Sequence, residues 1–317
     1  MNIYEASFKG QPSIVMKNNY LRLEVLPRGG RIVSLIDKKS GREFLVQQKG
    51  DEYCAGTYGS NMVEYQPAGF DDMFPTINEC FYEDYPWEGH KMPDHGEVWS
   101  LNWKHEIKKD QLSLWVYGVR LPYLFIKTIR FSEENQVNIS YKAENLSEFD
   151  MYFLWAAHPM LKAEESLEIL LPDDCSKAVC TLCFSGRLGE YGDIFDWPEW
   201  VDKSSVKHKV NKLRGLNTGN TEKYYFKDRL SQGWCKIKYP SDNTILTLAF
   251  PVEKVPYFGI LVEEGGWADE LYVIPEPCTA PFDRIDVSKL HSKSAAIPGN
   301  GLYEWYLGIT VDANSEL

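Results

Sequence analysis

Leu112-Ser-Leu-Trp-Val-Tyr-Gly-Val119, Leu124-Phe-Ile-Lys-Thr-Ile-Arg-Phe131 and Val137-Asn-Ile-Ser-Tyr-Lys-Ala-Glu144 follow one another with short breaks at Leu121-Pro122 and Ser132–Asn135. Each run is rich in β-branched and aromatic residues, and apolar positions recur roughly every second residue. That period suits a pleated strand with one face buried, and breaks this short suit hairpins. Outward from here the pattern continues. Glu97–Ile107 precedes it beyond Lys109-Asp110, and Met151–Ala157 follows it beyond Asn145–Asp150. Leu167–Leu171, Gly233–Tyr239, Thr244–Phe250, Phe258–Val262, Leu271–Ile274 and Leu302–Val311 read as further strands. At the start of the chain, Ser13–Lys17 and Tyr20–Leu26 flank Asn18-Asn19. Pro27-Arg28-Gly29-Gly30 then turns into the strand Arg31–Ile36, again in hairpin fashion. Helical periodicity is confined to Lys203–Leu213. With no repeat and no linker, the chain reads as one all-β domain over residues 1–317, a large antiparallel β-sandwich.

Two stretches, 47–94 and 172–232, lack either period and read as loops that cover something. The net charge of −12 disfavours nucleic acid and anionic membranes, since both need a basic face. No apolar run reaches the about 18 residues of a membrane span, and Met1–Gln11 carries no signal-peptide core. The seven cysteines show no framework spacing. Cys180-Thr-Leu-Cys183 has no second pair to complete a zinc set, so the expectation is free thiols, no metal and a cytoplasmic location. Ten Trp and nineteen Tyr suit an all-β core, and they also offer flat faces to sugar rings.

Four stretches hold residues able to do chemistry. Pro93-Asp94-His95-Gly96 places a histidine in a turn. Trp155-Ala-Ala-His158-Pro159 ends a strand in a histidine, because a proline cannot continue a central ladder. Ile274-Pro275-Glu276-Pro277 holds a carboxylate in a stiff backbone, just past an apolar strand. Gly69-Phe70-Asp71-Asp72 sets two acids beside an aromatic. Taken singly, each has a plain structural reading: a turn histidine, a sheet-edge histidine, a solvated glutamate, an Asx turn. Their occurrence together on one sandwich is what draws attention.

These motifs, in this order, resemble the aldose 1-epimerase (galactose mutarotase) family. His95-Gly96 with Trp99 resembles its first histidine motif, and Ala157-His158-Pro159 its second. Ile274–Pro277 resembles its glutamate segment, and Gly30–Leu35 its early glycine-led strand. The resemblance implies a β-sandwich with a sugar cleft on one broad face, and interconversion of the α and β anomers of a free aldose. It implies Glu276 as base on the C1 hydroxyl, His158 as acid on the ring oxygen, and His95 holding and polarising the sugar. No metal, nucleotide or covalent intermediate is required, so no cofactor is expected. The family's Asn-Arg pair ahead of the first histidine is missing, and Gly69–Asp72 occupies that region. Its sugar-binding aspartate also lacks a clear match, with Glu264 or Trp267 as stand-ins. Asp71, Asp72, Trp99, Trp267, Arg31 and Lys127 are the expected substrate-binding residues. Arg22, Arg28, Arg31 and Lys127 would serve a phosphorylated sugar if they converged. The expected partner is a small carbohydrate, and a homodimer is compatible with the sequence. Two other classes are open at this point. One is a non-catalytic carbohydrate-binding or sensing protein on the same fold. The other is a glycoside-cleaving enzyme pairing Glu276 with Asp71 or Asp72, which needs carboxyls about 5–5.5 or about 6.5–9.5 Å apart.

Overall fold

The computed structural model describes residues 1–313. Two antiparallel sheets face each other across one apolar core. The larger has twelve strands. Its order runs Asn2–Phe8, Gln11–Lys17, Leu21–Val25, Ile32–Asp37, Phe70–Met73, Ala156–Pro159, Leu271–Cys278, Tyr257–Glu264, Asn220–Phe226, Lys177–Cys183 and Ile194–Asp196. Leu161–Lys162 also pairs with Leu271–Cys278. The smaller has eight strands, with Leu302–Ala313, Gln136–Asn145 and Tyr123–Glu133 at its centre.

Alternation along these strands sets the core. In Tyr123–Glu133 the side chains of Tyr123, Phe125, Lys127 and Ile129 point inward, and those between them are half-buried. Phe125, Tyr141, Trp155 and Trp305 meet as an aromatic cluster between the sheets. Such rings bury large apolar areas and prefer tilted or edge contacts. Among the described residues no helix is long and apolar enough to cross a membrane, and the one α-helix is Ile285–Leu290. All seven cysteines are free, including Cys180 and Cys183.

Four local expectations are corrected. Glu97–Ile107 is not one strand: Val98–Ser100 is a 3-10 turn and Lys104–Lys108 is the strand. Glu97 is fully buried and accepts from the hydroxyls of Tyr58 (2.7 Å) and Tyr123 (2.9 Å) and the amides of Val119 (3.1 Å) and Arg120 (2.8 Å). It is thus a knot between loops, not a strand residue. The helix expected at Lys203–Leu213 is instead the return strand of a hairpin, with Lys207–Lys209 against Glu199–Val201. Asp202 closes its turn, accepting from the amides of Ser204 (2.8 Å) and Val206 (3.0 Å) and meeting His208 Nε2 at 2.8 Å. The stretch 172–232 contains a central strand, Asn220–Phe226, buried on both faces and so without alternation. Finally, Glu276 lies inside the strand Leu271–Cys278 and not beyond it. Pairing on one side of that strand is interrupted between Val273 and Cys278, and an interrupted ladder tolerates Pro275 and Pro277.

Candidate active site

Sheet register builds the site. Asp71 pairs with His158, and Ala156 with Cys278, so His158 comes opposite Glu276 two residues on. Glu276 pairs with Gly259, and Gly259 with Tyr225. Residues in register share a face, so Asp71, His158, Glu276, Gly259 and Tyr225 form a row across five neighbouring strands. Gly259 is the gap in this row. A Cβ there would stand 2.7 Å from Cε1 of Tyr225, so only glycine lets that ring lie across the strand. The Tyr225 hydroxyl thereby reaches Glu276 Oε2 at 3.4 Å and donates a short hydrogen bond to Asp283.

Lys223, two residues before Tyr225 on the same face, completes the cluster. Its Nζ lies 3.0 Å from Glu276 Oε2 and 2.6 Å from Asp283 Oδ1. Glu276 is fully buried, and its other oxygen, Oε1, has no hydrogen-bond partner in the protein. That oxygen faces His158 Nε2 across 3.9 Å, too long for a hydrogen bond. Asp283 comes from the loop after the strand, where Phe282 (φ 74°) and Asp283 (φ 63°) are both left-handed. Two such residues in succession are costly and persist only where neighbours hold them. Here Lys223, Tyr225 and the backbone amides of Ile77 and Asn78, which donate to the Asp283 carbonyl, do so.

His95 enters from a turn that bridges to Phe74, just past the strand that carries Asp71. Its φ is 56°, and Gly96 follows at φ 74°. A Cβ on Gly96 would fall 2.3 Å from the Phe74 carbonyl oxygen, so the turn needs glycine to lie against that strand. Asp94 Oδ2 accepts from His95 Nδ1 (2.7 Å) and from the Met62 amide (2.9 Å), which fixes the imidazole. The rings of His95 and His158 meet edge to face with centroids 5.7 Å apart.

Burial and charge set the acidities. Burial depresses His158 well below its ordinary 6.5, and the charges of His95, Lys223 and Arg31 add to this. Burial raises Glu276 above its ordinary 4.5, with Lys223 opposing and Asp283 assisting. Both shifts disfavour the charged forms, and together they weaken the usual preference of a proton for an imidazole over a carboxyl. Asp94 is lowered: burial works against its charge, but His95 and the Met62 amide more than offset that.

Of the expected residues, His95, His158 and Glu276 come together. Asp71 and Arg31 stand beside them as a buried pair, Arg31 Nε to Asp71 Oδ1 at 2.6 Å, with Tyr53 also held by Arg31. Asp72 and Lys127 do not join them. One residue on from Asp71 a strand reverses its face, so Asp72 points into the core. There it meets Lys127 Nζ at 2.9 Å and Trp155 Nε1 at 3.0 Å. Trp99 is buried beneath the His95 turn, donating to the Asp94 carbonyl at 3.1 Å. Glu264 faces away from the row and is paired with Arg214. Trp267 borders a neighbouring cleft. The basic spot for a phosphate is not assembled, because Lys127 is in the core, Arg22 binds Glu24 and Arg28 binds Gly56 and Asn102. Lys223, Tyr225 and Asp283 were not foreseen. The run Tyr224-Tyr-Phe226 was a strand signal, but the charges before it mask the pattern.

No protein-family model matches the chain, and no curated protein matches it in sequence. Solved structures do match in shape. One from Synechocystis sp. PCC 6803 superposes with a TM-score of 0.68 at 14% identity, covering 98% of this chain and 100% of the other. A galactose mutarotase related enzyme from Lactobacillus acidophilus gives 0.66 at 12% identity, covering 96% and 99%. A galactose mutarotase-like protein from Lactobacillus casei ATCC 334 gives 0.62 at 15% identity, covering 95% and 100%. At such identities the likeness carries the fold alone, and the fold is the galactose mutarotase-like β-sandwich.

Proposed function

We propose that this protein interconverts the anomers of an uncharged aldose by acid–base ring opening. The observation that carries this reading is the convergence of three groups on one sheet face. His158 Nε2 and the unpartnered Glu276 Oε1 face each other across 3.9 Å, with His95 against the His158 ring. Ring opening needs one proton taken from the anomeric hydroxyl and one given to the ring oxygen, two oxygens on the same carbon. Ionised Glu276 takes the first and protonated His158 gives the second. The free aldehyde then turns about C1–C2 and closes on its other face, with His158 recovering the proton and Glu276 returning its own. Each residue must serve as acid in one direction and base in the other. Burial disfavours the charged forms from which opening starts, and the smaller gap between the two proton affinities eases the exchange of roles. His95, held by Asp94, keeps Nε2 for a sugar hydroxyl. An uncharged substrate follows from the balance of charge: Arg31 and Lys223 are both already paired with carboxylates. Of the two acids that a glycosidase would pair with Glu276, Asp72 lies on the core face, and Asp71, on the site face, is bound to Arg31.

The test is Glu276→Gln, which keeps the shape and removes the base. Freshly dissolved single anomers of several aldoses are followed by polarimetry or NMR, corrected for spontaneous exchange. The expected loss is about 10²-fold or more, with sugar binding retained. An unchanged rate would refute Glu276 as base. A wild-type protein that binds a sugar but accelerates no exchange would instead be a binding protein.

A further inference from the structure

Beyond the histidine pair the same face of the large sheet opens into a cleft of about 700 Å³. It is lined by none of the three site residues but lies further along the strands and loop that carry them. On the floor, Met160 lies two residues past His158, and Tyr272 is on the Glu276 strand with its side chain on the same face. At about 3.3 Å per residue these are about 7 Å from His158 and about 13 Å from Glu276. On the wall stands Val63, next to Met62, whose amide binds the carboxylate that holds His95.

The cleft carries an indole presented to solvent on a fixed backbone. Trp267 is 54% exposed. Its amide and that of Ala268 donate to Glu263 Oε1 at 2.9 and 3.2 Å, and Glu263 is itself buried and held by Thr221 at 2.6 Å. Phe184 meets the indole edge-on at 5.5 Å. Around it Gln66, Asp269 and Glu270 offer amide and carboxylate groups to hydroxyls, while the buried Gln48 amide is spent on the backbone of Cys54, Tyr65 and Gln66. An apolar plane rimmed by such groups is complementary to a pyranose, which has a C–H face and an equatorial belt of hydroxyls. Lys49 stands on the same rim as Asp269 and Glu270, and a rim of mixed charge suits an uncharged ring.

We propose that this cleft is a subsite for a second sugar ring, so that the substrates are reducing disaccharides or longer chains whose free anomeric carbon lies over the His158–Glu276 pair. The inference rests on the ring-opening reading for that orientation, while the subsite itself is tested by binding alone. Anomer exchange is measured for glucose and galactose against maltose, cellobiose and lactose, in the wild type and in Trp267→Ala. The disaccharides are expected to show the higher kcat/KM. Trp267→Ala is expected to raise their KM tenfold or more and leave the monosaccharides unchanged. Equal kcat/KM for both classes, or equal losses on substitution, would overturn the subsite and leave the ring-opening reading intact. Methyl maltoside and methyl cellobioside cannot open their rings and report binding only. Saturable binding by calorimetry, lost in Trp267→Ala, supports the subsite even if no exchange is catalysed. No binding of either glycoside, or a dimer that Trp267→Ala dissolves, would assign the cleft to something other than sugar.

Discussion

Glu276 has one oxygen in bonds and one free, and Lys223 is the reason. A fully buried carboxylate without a counter-charge would hold its proton, since desolvation penalises the ionised form. Lys223 between Glu276 and Asp283 opposes that. Removing it in Lys223→Met leaves two carboxylates sharing one buried corner, and the Glu276 carboxyl must rise further. Because the base works ionised, the acid limb of kcat/KM for anomer exchange is expected to move to higher pH. Below that limb the rate falls tenfold for each unit moved. A pH–rate profile of the variant checks it, and a limb that stays in place or moves down would show that Lys223 does not act on the base. His95, His158 and Glu276 were legible one by one, because turn glycine and flanking proline single them out. Their partners were not, since Lys223 and Asp283 are distant in sequence from every motif.

Strand register explains how such distant residues meet. Asn220–Phe226, Tyr257–Glu264 and Leu271–Cys278 each contribute one position to the row, and Gly259 is the position that must be empty. Gly259→Ala forces the Tyr225 ring off the strand and its hydroxyl away from Asp283 and Glu276. Overpacking of this kind costs about 1–3 kcal/mol. The expected result is a lower urea midpoint together with slower anomer exchange by the protein that remains folded. Full activity at reduced stability would mean that the placement of Tyr225 is structural only. Little of this was readable beforehand. Asn220–Phe226 is buried on both faces, and a strand so placed loses the alternation that marked residues 112–144 as strands.

Across the whole molecule, the two sheets are joined at their centre by an ion pair in an apolar core. Asp72 belongs to the larger sheet and Lys127 to the smaller, and both are fully buried. Breaking such a pair leaves an uncompensated charge, at a cost of about 3–5 kcal/mol. Lys127→Met is expected to lower stability to chemical denaturation by that order while the folded fraction keeps its anomer exchange. A rise in KM without loss of stability would return Lys127 to the substrate. The alternation Tyr123, Phe125, Lys127, Ile129 already placed this lysine on the core side. The stronger pull of its charge made it look like a ligand. By itself the sequence determined the class of fold, because period-two burial and hairpin turns are local properties of a chain. It also determined which histidines and which glutamate stand at unusual backbone positions. Tertiary structure alone decided that Asp71 faces the site and Asp72 the core, that Lys223 and Asp283 close on Glu276, and that the Trp267 cleft opens along the sheet face that carries His158 and Glu276. Those outcomes depend on register between strands far apart in the chain, and a shift of one residue would turn every one of these side chains to the other face.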